Sequence, residues 1–222
     1  MIDSHRISVQ RTAHYYTIGT PGEAIQYCWF VCHGYGQLAQ NFIRKFDAIA
    51  APDTLIVAPE GLSRFYTKGL TGDVGASWMT KEDRLDEIED YTHYLNTLYN
   101  QFAAQLGAHT RFVLLGFSQG CATQLRWIVK MLPAFHSLVL WAGTIPEDLD
   151  YLPHQSYFAN KKCHFVYGTN DPFITSEWLQ KQEDLIKSQG LHFEVTTFEG
   201  VHTVDRTALK KRSDAIRLDF VQ

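Results

Sequence analysis

The sequence lacks the marks of several common protein classes. It carries a net charge of −4 with no Lys/Arg run or basic stripe, which disfavours nucleic acid as a partner. No apolar run reaches the length of a membrane span. The opening residues MIDSHRISVQ lack the apolar stretch of a signal peptide. We therefore expect no membrane span, no nucleic-acid partner and a cytoplasmic location.

Cysteine is scarce, with four in the chain: Cys28, Cys32, Cys121 and Cys163. All lie in or beside predicted core elements, and buried free thiols are typical of a reducing compartment. Cys28 and Cys32 alternate along one face of a predicted strand, where core packing is the simpler explanation than zinc binding. The ten histidines form no H-E-x-x-H pattern. We therefore predict free thiols and no metal site.

The remaining composition predicts an α/β protein. Its 222 residues, 45% of them hydrophobic and 20% charged, fit a single domain over residues 1–222. From residue 26 onward, predicted strands alternate with helices, which favours a mostly parallel central sheet with helices on both faces. Strands are also expected within residues 7–18, a helix opened by a capping box at residues 80–83, and irregular segments over residues 63–79 and 142–161.

The stretch RFVLLGFSQG, residues 111–120, has the strongest functional pattern. A short apolar run predicts a buried strand, and the helical spacing of apolar residues from Cys121 to Leu132 predicts a helix directly after it. Ser118 then occupies a sharp strand-to-helix turn, which is the setting of a nucleophile elbow. Bulky residues at positions 116 and 120 would collide with that strand and helix. The turn also aims the Gln119 N–H at a developing oxyanion.

Two further loops offer partners for a serine nucleophile. Asp171 follows the strand CHFVY, and His202 follows the strand HFEVTTF. The order Ser, Asp, His is that of the α/β-hydrolase triad. Ser118 would attack a carbonyl, His202 would act as base and then acid, and Asp171 would orient His202. Alone, Asp171 before Pro172 is an ordinary turn initiator; the joint occurrence of the three motifs favours the triad.

The loop HGYGQ after the strand QYCWFVC is expected to give the second oxyanion donor. The N–H of Tyr35 is the first choice, with Gly36 or Gln37 as alternatives. His33 is interpreted as a structural histidine bonded to backbone rather than as a second base.

The same loop also matches a dinucleotide fingerprint. Residues 34–39 read G-x-G-x-x-A between a strand and a helix, and Glu60 closes the next strand, near the place of a ribose-binding acid. The alternative is disfavoured because at least one strand precedes the motif. It also leaves the Ser118, Asp171 and His202 loops unexplained.

Six motifs between residues 28 and 203 carry a family resemblance: HGYG, APEG, SWMTKEDRLDEIEDY, GFSQG, GTNDP and GVH. With them the chain resembles the α/β-hydrolase superfamily, and within it the phospholipase/carboxylesterase group that includes the acyl-protein thioesterases. The resemblance implies a fold with little or no cap domain and no metal or organic cofactor. It also implies hydrolysis of a small-molecule ester or thioester through an acyl-enzyme, with oxyanion donation from Tyr35 and Gln119.

The chain departs from that family pattern in its aromatic residues. Tyr35 stands where members often carry Leu, and residues 141–143 read WAG where members carry Ser-Gly. Five aromatic side chains either crowd the mouth of the site and favour short acyl groups, or pack beneath the loops: Tyr35, Phe65, Tyr66, Trp78 and Trp141. We expect a serine esterase, the alternatives being a thioesterase, lysophospholipase or peptidase with the same triad, or a ligand-binding protein with little turnover. The sequence leaves the oligomeric state open.

Overall fold

The computed structural model describes residues 1–219; residues 220–222, which the single-domain prediction includes, lie outside the described residues. The strands are β1 (Tyr15–Ile18), β2 (Tyr27–Cys32), β3 (Thr54–Pro59), β4 (Ser63–Tyr66), β5 (Val74–Ser77), β6 (Arg111–Phe117), β7 (Ser137–Trp141), β8 (Lys162–Gly168) and β9 (Glu194–Phe198). The α-helices are α1 (Ala39–Phe42), α2 (Arg84–Ala103), α3 (Gln119–Met131), α4 (Gln155–Phe158), α5 (Ser176–Ser188) and α6 (Arg206–Leu218). Short 3₁₀ helices cover Ile43–Ile49 and Leu152–His154.

Seven strands form the central sheet in the order β1-β3-β2-β6-β7-β8-β9. β1 pairs antiparallel with β3, and every other pair in the sheet is parallel. One core cluster takes side chains from α2, α3, α4 and α5, and the other takes them from α1, the first 3₁₀ helix and α6. The predicted fold class, a mostly parallel sheet covered on both faces, is confirmed.

The strand β2, third in the sheet order, shows how the sequence builds the two faces. All six of its residues are buried, as expected for a parallel strand covered on both sides. Cys28, Phe30 and Cys32 enter one core cluster, whereas Tyr27, Trp29 and Val31 enter the other. This alternation is the two-residue period of a strand.

The four cysteines are free and buried, as predicted. Burial raises the pKa of the Cys163 thiol to about 12, so the thiol stays protonated and packs as a small apolar group. Within residues 1–219, no cluster of three or more His, Cys, Asp or Glu side chains is suited to a metal ion. No helix of the described chain is both long enough and apolar enough to cross a bilayer.

Four local predictions are wrong. Residues 142–161, expected to be irregular, contain a short 3₁₀ helix, Leu152–His154, and the helix α4, Gln155–Phe158. The strands expected within residues 7–18 reduce to Tyr15–Ile18, because only this stretch meets a partner strand; Ile7 and Val9 are 88% and 79% exposed. Residues 63–79, expected to be irregular, contain the β4–β5 hairpin. The expected capping box at Thr80 does not start a helix, since α2 begins at Arg84 after a left-handed Asp83.

Candidate active site

The chain turns from β6 into α3 at Ser118, which has φ 53° and ψ −117°. The two glycines around it are required by close backbone contacts. A Cβ on Gly116 would lie 2.3 Å from the Gly120 carbonyl oxygen, and a Cβ on Gly120 would lie 2.2 Å from that of Cys32. The Ser118 N–H donates to the Trp141 carbonyl at 2.9 Å. The strained turn predicted from G-F-S-Q-G is therefore present in the backbone.

The structure brings Asp171 and His202 together. His202 Nδ1 lies 2.7 Å from Asp171 Oδ2, and the Asp171 side chain is fully buried whereas that of His202 is 21% exposed. The other carboxylate oxygen, Oδ1, accepts the Phe173 N–H at 3.0 Å. Because Nδ1 donates its hydrogen to the Asp171 carboxylate, Nε2 is the ring nitrogen that is able to accept a proton.

His202 also lies close to the elbow. Its ring centroid is 4.9 Å from that of Phe117, the residue directly before Ser118. Phe173 contacts the same imidazole edge-on at 4.8 Å. Among the described residues, no hydrogen bond joins Ser118 Oγ to the imidazole.

The loops that carry Asp171 and His202 are bonded to each other through backbone. The N–H of Thr169 donates to the Phe198 carbonyl and that of Asn170 to the Gly200 carbonyl, both at 2.9 Å. Gly168 allows this approach, because a Cβ there would lie 2.3 Å from the Gly200 oxygen. The short Asp171–His202 contact therefore rests on paired backbone rather than on two independent loops.

The loop of residues 34–37 leaves one backbone donor unused. The Gly34 N–H binds Gln37 Oε1 at 2.9 Å, and the Gln37 N–H binds the Gly34 carbonyl at 3.2 Å. The Gly36 N–H binds the Ala76 carbonyl of β5 at 2.9 Å. Within the described chain, the Tyr35 N–H has no acceptor. The loop lies against the elbow, since a Cβ on Gly34 would be 3.2 Å from the Ser118 Cβ.

Sequence reasoning missed the role of the Gln119 side chain. Its Oε1 accepts the Trp78 N–H at 3.1 Å, and its Nε2 donates to the Met79 carbonyl at 2.8 Å. The Trp78 indole N–H in turn donates to the His33 carbonyl at 2.9 Å. Residues 77–79 thus connect the first residue of α3 to the loop that carries Tyr35. The only sequence signal was the polar residue inside G-F-S-Q-G.

His33 uses both ring nitrogens for backbone contacts. Nδ1 lies 2.8 Å from the Gly34 carbonyl oxygen, and Nε2 accepts the Gly61 N–H at 2.9 Å. Burial lowers the pKa of His33 to about 4, so the imidazole is neutral near pH 7. Both nitrogens are therefore occupied in a structural arrangement.

The aromatic residues expected at the mouth divide into two groups. Trp78 and Trp141 are 1% and 0% exposed, so they pack beneath the loops. Tyr35 and Tyr66 are 59% and 50% exposed, and the Tyr35 ring lies 5.1 Å from that of Phe65. The surface next to the loop of residues 34–37 is therefore aromatic, whereas the two tryptophans are buried beneath it.

Glu60, the acid of the dinucleotide alternative, already has partners. It is 2% exposed, and its carboxylate accepts the Ala39 N–H at 3.0 Å and Arg64 Nε at 2.7 Å. The carboxylate thus holds the start of α1 and the β4 strand. This arrangement gives the dinucleotide alternative no support.

The sequence matches the model of the phospholipase/carboxylesterase family over residues 14–219. No curated protein sequence matches the chain at a significant level. Among solved structures, the chain is similar to a Zea mays acyl-protein thioesterase 2 (TM-score 0.72, 13% identity, 93% of this chain and 99% of that one). It is also similar to esterase PE8, with a TM-score of 0.66 and 19% identity over 93% of this chain and 99% of that one. A Bacillus cereus carboxylesterase has a TM-score of 0.64 and 13% identity over 94% of this chain and 95% of that one.

Proposed function

Because the chain belongs to the phospholipase/carboxylesterase family, a family of hydrolases, we propose that it is a serine esterase that cleaves carboxylic esters through an acyl-enzyme on Ser118. The observation that carries the proposal is the 2.7 Å contact between His202 and a fully buried Asp171, beside a strained serine turn. A buried carboxylate bonded to an imidazole next to a serine is the arrangement that activates a hydroxyl nucleophile.

In the proposed reaction, Ser118 Oγ attacks the ester carbonyl carbon while His202 Nε2 takes the hydroxyl proton. The buried Asp171 carboxylate holds Nδ1–H and stabilises the imidazolium. The tetrahedral intermediate then collapses, the ester C–O bond breaks, and His202 returns the proton to the leaving alcohol. A water activated by the same imidazole attacks the acyl group and releases the acid and free Ser118.

We assign the two oxyanion donors to the N–H groups of Tyr35 and Gln119. The Tyr35 N–H is favoured over those of Gly36 and Gln37 because the latter two bind other carbonyls. Gln119 is the first residue of α3, where a backbone N–H has no partner within the helix. The helix N-terminus adds positive potential at the same point.

We propose small or short-acyl substrates. The Tyr35 ring, carried by the proposed oxyanion loop, lies 5.1 Å from the Phe65 ring, and this aromatic pair would limit the space for a long acyl chain. Thioesters pass through a similar tetrahedral intermediate, so a thioesterase with the same triad is the alternative within this mechanism. Parallel assays with p-nitrophenyl acetate and an acetyl thioester separate the two.

We also propose a single hydrolase domain over residues 1–222 and a cytoplasmic location. One sheet takes strands from residue 15 to residue 198, which supports the first. Four buried free thiols suit a reducing compartment, which supports the second.

The decisive experiment is intact mass after exposure to a fluorophosphonate, on the native chain and on Ser118→Ala. The proposal expects one adduct on the native chain and none on the variant. No adduct on the folded native chain would refute an activated serine. A series of p-nitrophenyl esters of rising chain length, on the native chain and on Phe65→Ala, then tests the acyl preference. Removal of the ring should raise kcat/KM for longer esters relative to acetate; an unchanged ratio would contradict the proposed limit.

A further inference from the structure

Trp141 is the last residue of β7, the strand between β6 and β8, and it is completely buried. Its backbone and its side chain contact different parts of the candidate site. The carbonyl oxygen accepts the Ser118 N–H at 2.9 Å. The indole Nε1–H donates to the Thr203 carbonyl oxygen, also at 2.9 Å. Thr203 directly follows His202, so a single residue bonds both to the nucleophile and to the neighbour of the base.

The indole holds the His202 loop at both of its ends. The loop leaves β9 at Phe198, and the Phe198 ring lies 5.6 Å from the Trp141 ring. At the other end, Thr203 receives the indole N–H. Lys45 Nζ adds a second bond there, to Thr203 Oγ1 at 3.0 Å. The loop is therefore clamped before and after His202.

The backbone after Trp141 leaves little freedom for the residue to move. Ala142 takes a left-handed conformation with φ 51° and donates its N–H to the Val166 carbonyl at 2.8 Å. Gly143 packs so closely on the elbow that a Cβ there would lie 2.2 Å from the Ser118 carbonyl oxygen. Since close-packed interiors transmit displacements, a shift of Trp141 would shift both Ser118 and its own indole.

We propose that Trp141 is a positioning residue that fixes the His202 imidazole relative to Ser118. The proposal rests on the function proposed above. Trp141 is completely buried and acts through the two loops that it contacts, not on the substrate. The indole N–H has the main part in this role, because its hydrogen bond directly joins the end of β7 to the His202 loop.

Trp141→Phe tests the role of that N–H while it keeps an aromatic ring against Phe198. Trp127→Phe is the matched control, since Trp127 is also completely buried but lies in the other core cluster. This replacement likewise removes one indole hydrogen bond, the one from Trp127 Nε1 to Asn96 Oδ1 at 3.4 Å. For each protein, kcat and KM for p-nitrophenyl acetate, the rate of fluorophosphonate labelling and the melting temperature are measured.

A misplacement of about 1 Å between reacting groups costs on the order of 10²-fold in rate. We therefore expect Trp141→Phe to lower kcat and the labelling rate by roughly 10- to 100-fold, with KM within about twofold of the native value. The control should keep native rates. A folded Trp141→Phe protein that is labelled as fast as the native chain would overturn the proposal, as would an equal loss in both variants.

If Trp141→Phe does not fold, benzothienylalanine at position 141 gives the same test, because sulfur replaces the N–H and the ring shape is kept. The loss of labelling rate is expected again, and a native rate again overturns the proposal. Labelling of the native chain separates this inference from the proposed function. No adduct on the native chain refutes both, whereas a labelled native chain with an unaffected variant refutes only the role of Trp141.

Discussion

The replacement Asp171→Asn tests the proposed triad most directly, because it alters one atom of a fully buried side chain. The Asp171 carboxylate lies 2.7 Å from His202 Nδ1. A hydrogen bond to a charged group is worth about 1.5–3 kcal/mol, against about 0.5–1.5 kcal/mol for a neutral one. The asparagine amide can also donate to Nδ1, which places the ring proton on Nε2 and blocks proton abstraction from Ser118.

Together these effects predict a fall in kcat of about 10³- to 10⁴-fold, or about 4 to 5.5 kcal/mol in activation free energy. Stability should change by less than about 1 kcal/mol, because Asn Oδ1 still accepts the Phe173 N–H. The assay is hydrolysis of p-nitrophenyl acetate at saturating substrate, with urea denaturation to establish that the variant is folded.

Asp205→Asn is the matched control, since Asp205 is another acid close to His202 in the sequence, three residues after it. It caps α6 by accepting the Ala208 N–H at 2.8 Å, and asparagine caps a helix about as well. Native rates and native stability are expected. If Asp171→Asn stays within about tenfold of the native kcat, or if Asp205→Asn causes the greater loss, the assignment of the orienting acid is refuted.

Three more predictions follow from the site. Gln119→Ala should slow fluorophosphonate labelling by about tenfold, because the proposed donor, the Gln119 N–H, loses the side-chain bonds to residues 78 and 79 that fix its position. The loss should be smaller than the roughly 10²–10³-fold fall in rate that follows removal of an oxyanion donor itself. A native rate would show that residues 77–79 do not hold the donor. Gly143→Ala should destabilise the protein by more than about 2 kcal/mol, because its Cβ would meet backbone at 2.2 Å. Gly22→Ala, where a Cβ meets nothing within 4 Å, should be harmless by urea denaturation. Burial lowers the pKa of His33 to about 4 from 6.5, so the unfolded chain binds more protons between these values and stability should fall as pH falls through that window. His33→Gln should lack this part of the pH slope in urea denaturation, and an unchanged slope would contradict the assigned pKa.

Sequence patterns predicted the central sheet and selected the candidate triad residues, because both inferences depend on short, local signals. Buried parallel strands are continuous apolar runs, and their carboxyl ends meet at one edge of the sheet. Ser118 and Asp171 follow buried strands of this kind, β6 and β8, whereas His202 follows the edge strand β9, whose residues are exposed or half-buried. Local patterns therefore predicted which side chains share the edge, although they gave no distances between them.

Long-range contacts were beyond those patterns. Gln119 reaches Trp78 and Met79 about forty residues earlier in the chain, and Lys45 reaches Thr203 across 158 positions. The β4–β5 hairpin was missed because its strands have four residues each and glycines surround them. The opening strand was predicted too long, since β propensity without a partner strand does not make a sheet.

Two separate sets of contacts hold the candidate site, one through residues 77–79 and one through Trp141. Residues 77–79 connect Gln119 to the His33 loop and so hold the two proposed oxyanion donors. Trp141 connects Ser118 to the His202 loop on the opposite side of the turn. The elbow is common to both, and its glycines tolerate no Cβ because the backbone of α3 and of Cys32 lies against them. A strained turn of this kind persists only where the surrounding contacts fix it, and here they approach it from both sides.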